Sequence, residues 1–131
     1  MESIDLLDNY IAQEINKSFL WGDTDCCTTA DKWVFLRTGK SPLSENKSLV
    51  IDEKNAKRML RSKNMLKIAA DVLKDYQQTK TPKTGDIGII VLDKRTIAFA
   101  IKTKDGWFTR NEKGCHFFNE GDFVARAWNI E

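Results

Sequence analysis

The chain has one histidine, three cysteines and two prolines in 131 residues. It has no apolar run near the roughly 20 residues needed to cross a bilayer, so membrane insertion is not expected. The opening Met1-Glu2-Ser3-Ile4-Asp5 lacks a basic region followed by an apolar stretch. That argues against a secretory signal and predicts residence in the cytoplasm after synthesis. Cys26, Cys27 and Cys115 are odd in number and have no framework spacing, which does not fit disulfide stapling. With His116 alone and no C-x-x-C pair, the ligand supply and spacing do not suit a four-ligand zinc site; no metal and no cofactor are expected. No internal repeat or low-complexity tract is visible, and a net charge of +2 is too small to imply a nucleic-acid partner.

What remains is an ordinary globular composition, 41% hydrophobic and 31% charged with four Trp and seven Phe, which argues against disorder. The length suits one domain over residues 1–131. Charge is uneven along it. Between Glu53 and Lys83 nine basic residues face Glu53, Asp71 and Asp75. This run reads either as a solvated pair of helices or as a surface for an acidic partner or a phosphate backbone.

Ile4, Leu7, Tyr10 (or Ile11) and Ile15 recur at helical spacing and predict a helix from Ser3, its cap, to about Lys17. Thr24 or Asp25 caps a second helix whose inward stripe is Cys26/Cys27, Ala30, Trp33/Val34 and Arg37. Gly39 and Pro42 stop it. A short helix from Asp52 to Leu60 and another from Ser62 or Asn64 follow; the latter buries Leu66 (with Met65), Ala69, Val72/Leu73 and Tyr76. Beyond a polar connector at 77–84, apolar runs at Ile87–Leu92, Ile97–Ile101, Trp107–Thr109, Cys115–Phe118 and Phe123–Ile130 are separated by Gly/Asp/Asn turns. That pattern predicts an antiparallel meander. Helices over about 3–77 and a sheet over about 85–130 make the fold class α+β.

The most informative segment is Trp21-Gly22-Asp23-Thr24-Asp25-Cys26-Cys27. It delivers a thiol to the first turn of a helix, where backbone N–H groups favour thiolate over thiol. Asp25-Cys26 and Gly85-Asp86-Ile87-Gly88-Ile89-Ile90 resemble the nucleophile helix and first strand of papain-like cysteine hydrolases of the NlpC type and their CHAP relatives. The Trp-Gly-x-x-Asp-Cys-Cys turn, Ala30 to Trp33, and Ala127-Trp128-Asn129-Ile130 resemble a compact phage and prophage family of unknown function. The resemblance runs from about Phe19 to Ile130. It implies a papain-like fold and a virion-associated role at the tail hub, tip or tail assembly. The implied partners are other phage structural proteins, with peptidoglycan as a further candidate. The implied location is the bacterial host cytoplasm at synthesis and the tail after assembly.

The chain departs from the NlpC pattern at the base. Those hydrolases carry His on the strand after the Gly-Asp strand, and Thr96 stands at that place in Arg95-Thr96-Ile97-Ala98-Phe99-Ala100. Threonine cannot accept a proton at neutral pH. Three readings follow. In the first, the scaffold is degenerate and acts by binding proteins. In the second, Cys26 is the nucleophile of an active peptidase or amidase with His116 as base and Asp25 as orienting group, the helix start stabilising the oxyanion. In the third, the chain is an inhibitor or adaptor that binds a host protein or nucleic acid through the basic helices. Each candidate also has a plain structural role: Cys26 as a small residue in a tight contact, Cys27 as core, His116 as a bonded strand residue, Asp25 as a cap, Asp86 as a turn anchor, and the four Trp as core.

Overall fold

A computed structural model describes residues 3–20, 24–45, 62–91, 97–119 and 123–130. The fold is α+β. Among the described residues four helices, α1 (Ser3–Ile15), α2 (Cys26–Thr38), α3 (Pro42–Glu45) and α4 (Ser62–Val72), precede five strands: β1 (Ile87–Val91), β2 (Ile97–Lys102), β3 (Gly106–Asn111), β4 (Gly114–Asn119) and β5 (Val124–Trp128). The expected helix over Asp52–Leu60, the side chains of Ser3, Ile4 and Met65, and Thr96 lie outside the described residues.

All strand pairs are antiparallel, in the order β4-β3-β2-β1-β5. The meander expectation therefore holds for β1 to β4 and fails for β5. The last strand returns to the far side of β1, setting Trp128 opposite Ile87 and Ala127 opposite Gly88. Two causes are visible. Val91 N donates to Phe123 O, and the outer side of β5 is itself used: Thr79 N donates to Ala127 O and Asn129 N to Gln77 O. The connector at 77–79 thus covers that edge.

Alternation along the strands sorts the sheet into two faces. Ile87, Ile89, Phe99, Ile101, Phe108 and Arg110 share the face that carries the helices. On it, Cys27, Ala30 and Val34 of α2 meet Ile87 and Phe99 around a void of about 20 Å³. Helix α2 packs on β2 and β3, α4 on β2 and α1 on α2. The opposite face carries Gly88, Ala98, Ala100, Trp107, Thr109, His116 and Phe118. A Cβ at Gly88 would stand 2.6 Å from the Trp107 ring, so only glycine admits that ring.

The start and stop of α2 follow its sequence signals. Asp25 caps it, accepting from Thr28 N at 2.8 Å, and Gly39 in the left-handed region donates its N–H to Phe35 O. In α1 the apolar stripe runs differently from the expectation. Leu7, Tyr10 and Ile11 are buried, but Ile15 is 48% exposed and Glu14 is fully buried. Glu14 lies seven residues from Leu7, two full turns along the same stripe.

Candidate functional site around the paired cysteines

The entry to α2 is built before the helix begins. Thr24 Oγ1 accepts from Leu20 N at 2.6 Å and donates to Ser18 O at 2.7 Å, clamping the chain ahead of Asp25. Cys26 and Cys27 follow in the first turn, both buried beside Thr28, Thr29 and Ala30. A hydrogen bond with Cys26, then burial and the charges of Asp25 and Asp31, hold the Cys27 thiol protonated well above the ordinary thiol range. This is an environment that stores a thiol rather than one that exposes a thiolate.

The structure does not bring His116 to Cys26. His116 stands on β4, at the edge of the sheet farthest from β5. Its neighbour Cys115 is paired with Arg110 on the helix-bearing face, so His116 projects from the other face. Its Nε2 lies 3.2 Å from Asn111 Oδ1, and its ring neighbours Phe118. As base for Cys26 it is therefore misplaced by the thickness of the sheet. Asp25 serves as the α2 cap. Asp86 accepts from Lys83 N and Ile130 N, anchoring the turn into β1 and fastening the segment after β5.

Sequence reasoning missed the strongest polar cluster on the helix face. Arg110 of β3 donates through Nη1 to Glu14 O at 3.1 Å and through Nη2 to Lys17 O at 2.8 Å. A cation thus sits on the carbonyl end of α1, where the helix dipole favours it. Its guanidinium lies 3.8 Å from the Glu14 carboxylate, whose other oxygen meets Lys17 Nζ. Tyr10 OH donates to Thr29 O at 2.5 Å and tethers α1 to the first turn of α2. Burial, then the Glu14 carboxylate, push its phenol far above the usual range. The available signal was an acid on the apolar stripe of α1 and an arginine inside an aromatic strand.

Among the described residues no group of three His, Cys, Asp or Glu side chains is arranged to hold a metal ion, and no helix is long and apolar enough to cross a membrane. Residues 4–130 match the model of a family described as a domain of unknown function, DUF6950. No curated protein and no solved structure matches the chain.

Proposed function

The chain belongs to DUF6950, whose model spans residues 4–130, and we propose for it, on grounds other than that membership, a non-hydrolytic role: a protein-binding domain on a papain-like scaffold, associated with a phage or prophage virion. One observation carries the non-hydrolytic part. The sequence holds a single imidazole, and that imidazole projects from the sheet face opposite α2 while bonded to Asn111. An acyl-transfer cycle at Cys26 needs a group that takes the thiol proton and later returns it to the leaving amine. His116 is not in place for it.

The papain-like part is supported by a buried cysteine pair in the first turn of a helix laid on an antiparallel sheet, and by the Gly85-Asp86 entry to β1. The virion setting rests on the resemblance of the Trp21–Cys27 turn and the Ala127–Ile130 ending. From that resemblance we propose residence in the host cytoplasm at synthesis and in the tail hub or tip after assembly, with other virion subunits as partners.

The test is a phage carrying Cys26→Ala. Infectious particles should assemble in normal numbers. Loss of infectivity with a folded variant protein, or turnover of a cell-wall peptide by the wild type, would sink the reading.

A further inference from the structure

The two edges of the sheet are finished differently. On the β5 side, residues 77–79 bond to Ala127 and Asn129, the pairing with β1 carries an irregularity at Ile89/Ile90, and Arg126 is exposed. Covers, bulges and charges are the usual devices that stop a strand edge from recruiting another chain. The other edge, β4, has none of them. Gly114-Cys115-His116-Phe117-Phe118-Asn119 contains no Lys, Arg, Asp, Glu or Pro, and its register with β3 is unbroken. Among the described residues no backbone bond reaches its outer side. We propose that β4 pairs antiparallel with β4 of a second copy of the chain, extending the sheet across a two-fold axis at Phe117. This pairing stands apart from the chemistry of Cys26 and from the virion setting, and its failure would leave both untouched.

Backbone directions fix the register. Thr103 N donates to Gly106 O, so Gly106 and Phe108 face β2, and the alternate residues Trp107, Thr109 and Asn111 face β4. Opposite these three stand Phe118, His116 and Gly114. The Phe118 carbonyl does point back at β3, since a Cβ on Gly106 would collide with its oxygen. The N–H and C=O groups of Cys115, Phe117 and Asn119 are therefore the ones turned outward. Only a pairing centred on Phe117 uses all three residues at once. It sets Phe117 opposite its own counterpart and Cys115 opposite Asn119 at either end, each pair exchanging two bonds.

The side chains favour a second copy as the occupant. Phe117 is 58% exposed, although its ring lies 5.2 Å from Phe108. Across the two-fold axis it meets the same ring of the other copy on the helix-bearing face, as an aromatic cross-strand pair. Because the strand carries no charged residue, no like charges are opposed. Antiparallel pairing also carries the charged tips, Glu112-Lys113, to opposite ends, roughly 27 Å apart. Parallel pairing would set those tips side by side. A single strand pair buries less than the ~1,200 Å² of stable assemblies, so association is reversible, with a Kd on the order of 100 µM.

The test is sedimentation equilibrium of the full chain in reducing buffer over roughly 10 µM to 1 mM, with amide exchange measured at both ends of that range. A monomer–dimer equilibrium should appear. At the high concentration the amides of Cys115, Phe117 and Asn119 should exchange about fourfold more slowly. Those of Gly114, His116 and Phe118, already bonded to β3, should not change. Phe117→Lys sets two ammonium groups face to face at the axis and should weaken the dimer at least about tenfold. Circular dichroism at low concentration should show that variant folded. A chain monomeric throughout the range would overturn the pairing and leave the edge to an extended segment of some other protein. A dimer without the alternating protection, or a folded Phe117→Lys variant that dimerises as tightly as the wild type, would overturn it equally.

Discussion

Arg110 and Glu14, 96 positions apart in the chain, are joined twice: guanidinium to carboxylate at 3.8 Å and guanidinium to backbone carbonyl at 3.1 Å. Both side chains are buried. The pair fastens the end of α1 to the end of β3, beside the edge strand β4.

Removing Arg110 leaves the buried Glu14 carboxylate with only the half-exposed Lys17 as a cation and leaves the carbonyls of Glu14 and Lys17 without the guanidinium. Arg110→Met should therefore destabilise the fold by about 3–5 kcal/mol, read as a lowered urea midpoint. Glu14→Gln, which keeps the shape and one acceptor, should cost less. A variant Arg110→Met with an unchanged midpoint would show that the pair contributes nothing.

Stability should fall on the alkaline side, and the sign is fixed by the direction of two shifts. Cys27 is held protonated in the folded chain, whereas an unfolded thiol ionises near pH 8.5. Above that pH the unfolded state binds fewer protons than the folded one, so the unfolding free energy declines with pH. Below it the contribution is fully present. Tyr10, raised by burial, adds a second decline above about pH 10. Urea midpoints from pH 7 to 10 should drop for the wild type and drop less for Cys27→Ala. Cys115, raised by burial, is common to both proteins and cancels in the comparison.

Thiol labelling should separate the three cysteines. Cys115 is half-buried, while Cys26 and Cys27 are 6% and 4% exposed. Iodoacetamide at pH 8 should modify Cys115 first, leaving the α2 pair to react only as fast as the domain opens. Peptide mapping by mass spectrometry reads the order. Rapid modification of Cys26 at pH 6 would reveal a thiolate and contradict the non-hydrolytic reading.

Asp86 should prove a fastening point. Its two oxygens accept from Lys83 N and Ile130 N, so Asp86→Ala leaves two donors unpaired, one of them buried. The expected loss is about 2–3 kcal/mol, with the amides of Val124–Ile130 exchanging faster than those of β2 and β3. Uniform exchange across the sheet would contradict this local role.

The parts of the fold legible in the sequence were those fixed by local chemistry. Asp25 before Cys26, and Gly39 followed by Pro42, bound α2 because a cap and a left-handed stop act within a few residues. The runs at Ile87, Ile97 and Trp107 form strands because turn residues separate them. The burial of Glu14 in place of the expected Ile15 was not legible, because periodicity cannot reveal a cation 96 residues away that offsets it. The place of β5 was misread for the same reason, since pairing with β1 depends on Phe123, Gln77 and Thr79 rather than on the strand itself. At the site, the cap role of Asp25 was visible locally. The separation of Cys26 from His116 required knowing which face each strand residue takes.

The return of the last strand to β1 has a consequence for biosynthesis. While the chain is still being made, β1 can pair with β2 but has nothing on its other flank, and Asp86 waits for an amide 44 residues downstream. A nascent chain halted before Trp128 would carry an unsealed apolar ridge, prone to capture by chaperones or by its own siblings. Completion is then close to all-or-none, and truncated translation products should be cleared rather than accumulate.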